Sequence, residues 1–228
     1  MKKEIIVISL GGSIIIPKTG FDVRFLKSFK ELILKLTKKG YKFIIVCGGG
    51  QTARSYQKIA RELSNLTPAG IDWIGIYATW LNASLLRGLF KERAHLDIVN
   101  DPTKKTTWKK PILIAGGWKP GFSTDYDAVK LAELYGVRKV INLSNIAYVF
   151  DKNPLDFKDA KKIKQTDWAS FRKIVGEKWS PGANLPFDPV ASKIAQKLKL
   201  ILYFVKGTDL VEVEKSITGE KFDGTIIA

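Results

Sequence analysis

Three glycine-rich turns stand where backbone amides could hold a small anion: Gly11-Gly12-Ser13, Gly48-Gly49-Gly50 and Gly116-Gly117. Each follows a short apolar run, at residues 5–10, 42–47 and 112–115. Without a Cβ, glycine lets N–H groups approach an anion closely, and a helix starting at the turn adds its positive end. One such turn is as readily a tight turn or a helix cap. Three of them at equivalent strand ends point to two phosphate-bearing ligands lying side by side on the ligand-binding edge of an open sheet. Arg54 lies one helical turn beyond the triple glycine, so its fork could clamp phosphate oxygens through paired bonds. A solvated surface arginine is the alternative.

The residues that are scarce narrow the chemistry further. Cys47 is the only cysteine and His95 the only histidine. An intrachain disulfide, a thiolate metal cage, a multi-histidine zinc site and a His-paired nucleophile are therefore out of reach, and no metal-ligating set is assigned. Phosphoryl transfer needs none of them, because it rests on positioning and on charge stabilisation by cations and amides. No G-x-x-x-x-G-K-[ST] run is present and no G-x-G-x-x-G follows the first apolar run, which excludes a P-loop enzyme and counts against a dinucleotide-binding dehydrogenase. The chain has 38 Lys and Arg against 22 Asp and Glu, a net charge of +16. That surplus favours anionic partners such as polyphosphates, nucleic acid or acidic membranes, or it simply keeps the surface soluble.

The elements that must position these residues alternate between short buried strands and helices, the pattern of a mainly parallel sheet covered on both faces. The expected class is α/β, a three-layer αβα sandwich. Strands are expected at 5–10, 42–47, 112–115, 139–143 and 200–205, with a last edge strand at 225–227. Asp22 caps a helix with Leu26, Phe29, Ile33 and Leu36 on one face, and Gly40 closes it. Further helices are expected at 52–66, 71–93, 125–135 and 188–198. The 71–93 helix is apolar nearly all round, with Trp73, Ile76, Tyr77, Trp80 and Leu81, so it is buried or packs on a second subunit. Residues 101–111 form a basic, proline-bounded connection or exposed edge, and 151–164 is charged and turn-rich. The basic start followed by an apolar run is a first strand rather than a signal peptide, since Glu4 interrupts it and no cleavage site follows. No stretch approaches a membrane span.

Several runs are similar to archaeal uridylate kinases of the amino-acid-kinase family: residues 48–62 (GGGQTARSYQKIARE), 71–86 (IDWIGIYATWLNASLL) and 116–133 (GGWKPGFSTDYDAVKLAE). The opening ISLGGSII and the late FDPVASKIAQKL, residues 187–198, fit the wider family. The resemblance runs in family order along nearly the whole chain. It implies one domain over 1–228, with an acceptor lobe at 1–143 and a nucleotide lobe at 144–228. It implies a cytoplasmic homo-oligomer, a hexamer, that phosphorylates UMP from ATP with Mg²⁺. The implied ATP site comprises Ser9, Gly11, Gly12, Ser13, Gly50, Arg54, Ser144, Asn145, Phe150 and Asn153. The implied UMP site comprises Gly49, Asp72 and the stretch Trp118, Lys119, Pro120, Gly121, Phe122, Ser123 and Thr124. Asp72 would accept from ribose hydroxyls, or else complement a helix N-terminus, while Ser123 and Thr124 would meet the uracil edge. Lys193, Arg54 and Gly12 would take the catalytic roles, with Lys193 reaching the ATP phosphates.

The chain departs from the family pattern on the donor side. Ser9 stands where a lysine is common, and Ala147-Tyr148 replaces an Asp-Gly pair. Phe150 replaces a tyrosine, and Asn153 an aspartate. Three other readings therefore stay open: another small phosphate or carboxylate as acceptor, a nucleotide-binding protein without turnover, and direct nucleic-acid binding, which no recognition motif supports.

Overall fold

A computed structural model describes residues 4–178 and 185–228; Met1 to Lys3, the basic start weighed as a leader, lie outside the described residues. The central sheet has seven strands in the order β3-β2-β1-β4-β8-β9-β7. They are β1 (Ile5–Leu10), β2 (Lys42–Cys47), β3 (Ile112–Ala115), β4 (Lys139–Ser144), β7 (Gln165–Thr166), β8 (Ile201–Lys206) and β9 (Gly224–Ile227). Pairing is parallel from β3 through to β8, and β9 runs antiparallel to β8. A separate two-stranded hairpin, β5 (Val149–Phe150) with β6 (Lys162–Ile163), carries the ends of the turn-rich 151–164 segment.

Side chains on successive strand positions point to opposite faces, and here each face has its own core. Ile6, Ile8 and Leu10 of β1 join one layer with α1 (Gly12–Ile15), α2 (Val23–Lys38), α4 (Pro68–Phe90) and α8 (Leu210–Thr218). Val7 joins the other with α5 (Thr124–Tyr135), α6 (Trp168–Val175) and α7 (Pro189–Lys197). The fold is thus a three-layer αβα sandwich. Ser9 shares the Val7 face and so points toward α5. The strand order reverses between β1 and β4, and the turn after β1 opens beside that switch point, where open α/β sheets bind ligands.

Several expected boundaries move. The helix expected at 52–66 is α3 (Gly50–Leu63), which begins inside the triple glycine. The one expected at 71–93 starts at Pro68, because Thr67 accepts from the Gly70 amide and proline suits the first helical position. It ends at Phe90, and residues 91–93 tighten into a 3₁₀ turn. Residues 225–227 do form a strand, but not an edge: Gln165–Thr166 pairs outside it. The short helices α6 and α8 escaped the sequence reading. Asp22 caps α2 as expected, accepting from the Phe25 amide at 2.9 Å.

Candidate active site

The first two glycine turns touch each other backbone to backbone. A Cβ on Gly12 would lie 2.1 Å from the Gly50 nitrogen, and Gly50 sits at φ +64°, where other residues are strained. The Gly11 amide donates to the Leu143 carbonyl at 3.0 Å, which ties the β1 turn to the end of β4. Gly116-Gly117 is held differently. Its backbone lies across α4, where Gly117 donates to Thr79 Oγ1 at 2.7 Å and accepts from Trp80 Nε1 at 2.7 Å.

Between the α3 turn and this third turn lies a cavity open to solvent. Gly49, Gly50, Arg54, Asp72, Ser123 and Thr124 all line it, and Phe122 joins them. Arg54 makes no ion pair among the described residues; its Nε reaches Gln51 Oε1 at 3.3 Å. Partial burial holds its guanidinium below its usual pKa, a cost that an anion in the cavity would relieve. Asp72 is in the second turn of α4, beyond the cap, so the helix-terminus role does not fit it. Its Oδ2 accepts from the Gly121 amide at 2.8 Å. Burial raises its pKa, with the Gly121 bond and then Arg61 pulling the other way. Ser123 caps α5 by accepting from the Tyr126 amide, and Thr124 opens the helix. Trp118, Lys119, Pro120 and Gly121 form the loop behind these residues rather than the cavity wall. There the Lys119 ammonium sits 3.9 Å from the Trp118 ring centre, and Phe122 packs between Trp118 and Tyr126 at 5.1 and 4.3 Å.

This arrangement, an arginine without an ion pair among the described residues and two glycines at one end with hydroxyl-bearing residues and a carboxylate along the wall, suits a small phosphorylated acceptor. The amino acid kinase family model matches residues 4–205. The chain belongs to the amino acid kinase family. It is similar to proteins named uridylate kinase from Methanocorpusculum labreanum, at 35% identity over 97% of this chain and 94% of that one. A uridylate kinase of Methanococcus vannielii is 36% identical over 97% and 98%. The crystal structure of uridylate kinase from Archaeoglobus fulgidus superposes with a TM-score of 0.83 at 31% identity, covering 99% of this chain and 100% of that one.

On the donor side of this amino acid kinase, the expected residues do not converge on that cavity, apart from Gly50 and Arg54. Ser13 is half-buried in α1. Ser144 ends β4 and leans on Asn145 at 3.4 Å. Phe150 belongs to β5 of the hairpin. Asn153 is engaged in its own turn, accepting from the Leu155 amide and donating to Asp156. Where the family pattern has Asp-Gly, Tyr148 bonds Asp223 through its hydroxyl at 3.0 Å. Lys193 stands exposed on α7 with no hydrogen bond or ion pair among the described residues.

The sequence reading missed Gln57, Gly75, Ile76 and Thr79, which also line the cavity. Gly75 carried a signal: a glycine inside an otherwise apolar helix marks a close approach. A Cβ there would meet Gln57 Nε2 at 2.5 Å. Asp125 was also missed. Ser9 Oγ donates to its Oδ1 at 2.8 Å, and the Asp188 amide donates to its Oδ2 at 3.2 Å. Burial, with the Asp188 charge behind it, pushes the Asp125 carboxyl up to about 7.

Proposed function

We propose that the chain transfers the γ-phosphoryl group of ATP to UMP and releases UDP and ADP. A UMP phosphate oxygen attacks the γ-phosphorus, and the bond from that phosphorus to the β–γ bridging oxygen breaks, leaving ADP with the electron pair. The acceptor is already anionic near neutral pH, so no protein nucleophile or base is needed. The observation that carries this reading is the cavity that brings together an arginine without an ion pair among the described residues, the glycines Gly49 and Gly50, and Ser123 and Thr124. The names of the similar proteins support it. Arg54 holds the UMP phosphate, Ser123 and Thr124 meet the base, and the oxygen of Asp72 not bound to Gly121 meets the ribose. Lys193 serves the donor phosphates from the nucleotide lobe. Magnesium would neutralise charge on the ATP phosphates.

A coupled ADP-release assay with ATP, Mg²⁺ and an acceptor panel of UMP, CMP, dTMP, acetylglutamate and isopentenyl phosphate tests the reading. ADP released with UMP alone is the expected outcome. UMP binding in a calorimeter without ADP release would overturn it.

The same reading places the protein in the cytoplasm as a homo-oligomer. From Ser64 to Leu86 the only charged residue is the buried Asp72, in a chain carrying +16. Trp73, Tyr77 and Leu81 lie exposed along that part of α4, at 37, 57 and 63%. An uncharged aromatic stripe on so basic a chain fits a second copy, which brings no repulsion to the contact. Light scattering should show an oligomer for the wild type and a smaller species for Tyr77→Glu.

A further inference from the structure

We infer that Asp127 is a positioning residue for the acceptor loop, holding residues 117–121 with Thr79 and Asp72 in the shape that receives the acceptor. The inference rests on the reading of the neighbouring cavity as the acceptor site.

Three amides of this loop donate to side chains. Gly117 donates to Thr79 Oγ1 at 2.7 Å, Trp118 to Asp127 Oδ2 at 3.1 Å and Gly121 to Asp72 Oδ2 at 2.8 Å. None of the three finds a backbone carbonyl. All three acceptor residues are buried, at 6, 0 and 9% exposure. The loop's shape is therefore set from outside, by two residues of α4 and one of α5.

Asp127 differs from the other two. Thr79 and Asp72 line the cavity and could touch a ligand, whereas Asp127 does not line it. Its second oxygen, Oδ1, is buried with no hydrogen-bond partner among the described residues. A buried carboxyl with one oxygen unmatched is costly, and the bond its other oxygen makes is the compensation the structure offers. Burial also drives its pKa above the usual carboxylate range, with the Trp118 bond pulling the other way and the charges of Asp125 and Asp188 adding to the rise. The hydrogen bond its side chain makes is to the loop. That bond closes a ring from Trp118 to the first turn of α5, the turn that presents Ser123 and Thr124. A loop fixed in advance loses less freedom when its ligand arrives, so affinity for the acceptor gains while the donor side is untouched.

Hydrogen exchange on the ligand-free chain reads the loop directly. In Asp127→Ala, protection across residues 116–124 should fall about tenfold, the scale of one lost hydrogen bond, while β1 and β2 keep theirs. Asp127→Asn retains a carbonyl oxygen on a neutral group and should restore most of the protection. In steady-state kinetics Asp127→Ala should raise KM for UMP by roughly tenfold, with kcat and KM for ATP within about twofold. Unchanged loop exchange in a folded Asp127→Ala chain overturns the inference. So does a parallel rise in both KM values, or an Asn variant no better than Ala. If Asp127→Ala does not fold, Asp127→Leu, which removes the Trp118 acceptor while filling the site, carries the same test with the same outcomes. A wild-type chain that releases no ADP with UMP removes the kinase reading, and the exchange result still decides the role of Asp127.

Discussion

The acceptor side and the donor side of the glycine edge are built by different means. On the acceptor side, Thr79, Asp72 and Asp127 reach from two helices to hold loop amides, and Arg54, without an ion pair among the described residues, faces the resulting cavity. On the donor side, Ser144 and Asn153 bond within their own turns, and the hairpin is tied down through Thr225, which accepts from the Val149 amide and donates to the Ile163 carbonyl. The first draws polar side chains from two helices onto one loop; the second, among the described residues, is held by bonds within its own turns and hairpin. The contrast explains why the acceptor carries the identity of the reaction. A nucleoside triphosphate can be held by amides and a few mobile cations, but choosing among small phosphates needs fixed polar groups.

Substitutions on each side can break or sharpen that contrast. The largest effect is expected for Arg54→Ala, which removes the cation from the acceptor cavity. Its kcat/KM for UMP should fall by ~10²–10³, with KM for ATP nearly unchanged, measured by initial rates with each substrate varied. Unaltered rates would take Arg54 out of the site and dissolve the contrast.

The next effect lies at the boundary between the sides, at Asp125. Its folded pKa is raised to about 7 from an ordinary 3.8. The folded state therefore binds the proton more tightly than the unfolded state does. The stability this gives is fully present below pH ~4 and is lost as pH rises through ~7, up to a full-shift limit of about 4 kcal/mol. Asp125→Asn, which cannot ionise, should be more stable than wild type at pH 8 by about 2 kcal/mol and should flatten the dependence between pH 4 and 8. Urea unfolding midpoints across that range check it, and a wild type whose stability rises over the range would contradict the buried-carboxyl account.

The smallest effect is expected for Lys193→Ala, since an exposed lysine acts through a flexible arm. It should lower kcat by roughly tenfold while leaving KM for UMP alone. A rise in KM for UMP instead would place Lys193 on the acceptor side.

Much of this architecture can be read from the chain, for identifiable reasons. The apolar runs at β1, β2, β3 and β4 are buried on both faces and end at turns, so their period and punctuation coincide. Arg54 and the three glycine turns are legible because short-range spacing places them. The start of α4 was misread because a helix apolar all round gives no phase, although Thr67-Pro68 marked the cap. Helices α6 and α8, of 8 and 9 residues, are as short as α7 but lack the family-like run that marked residues 187–198. Asp125 and Asp127 look like solvated acids at a helix start, and only the packing of α5 against β1 and the 116–118 turn buries Asp127 and half-buries Asp125. Thr79 and Gln57 gain meaning from partners 38 and 14 residues away, which local pattern cannot reveal.

The contact between Gly12 and Gly50 acts as a ruler. Where two main chains meet with no side chain between them, the gap is set by the radii of peptide atoms and offers mutation nothing to adjust. The distance between the turns after β1 and β2 is then the same whatever surrounds them. On the proposed reading, new acceptors can be tried at the rim while the span that the phosphoryl group must cross stays fixed.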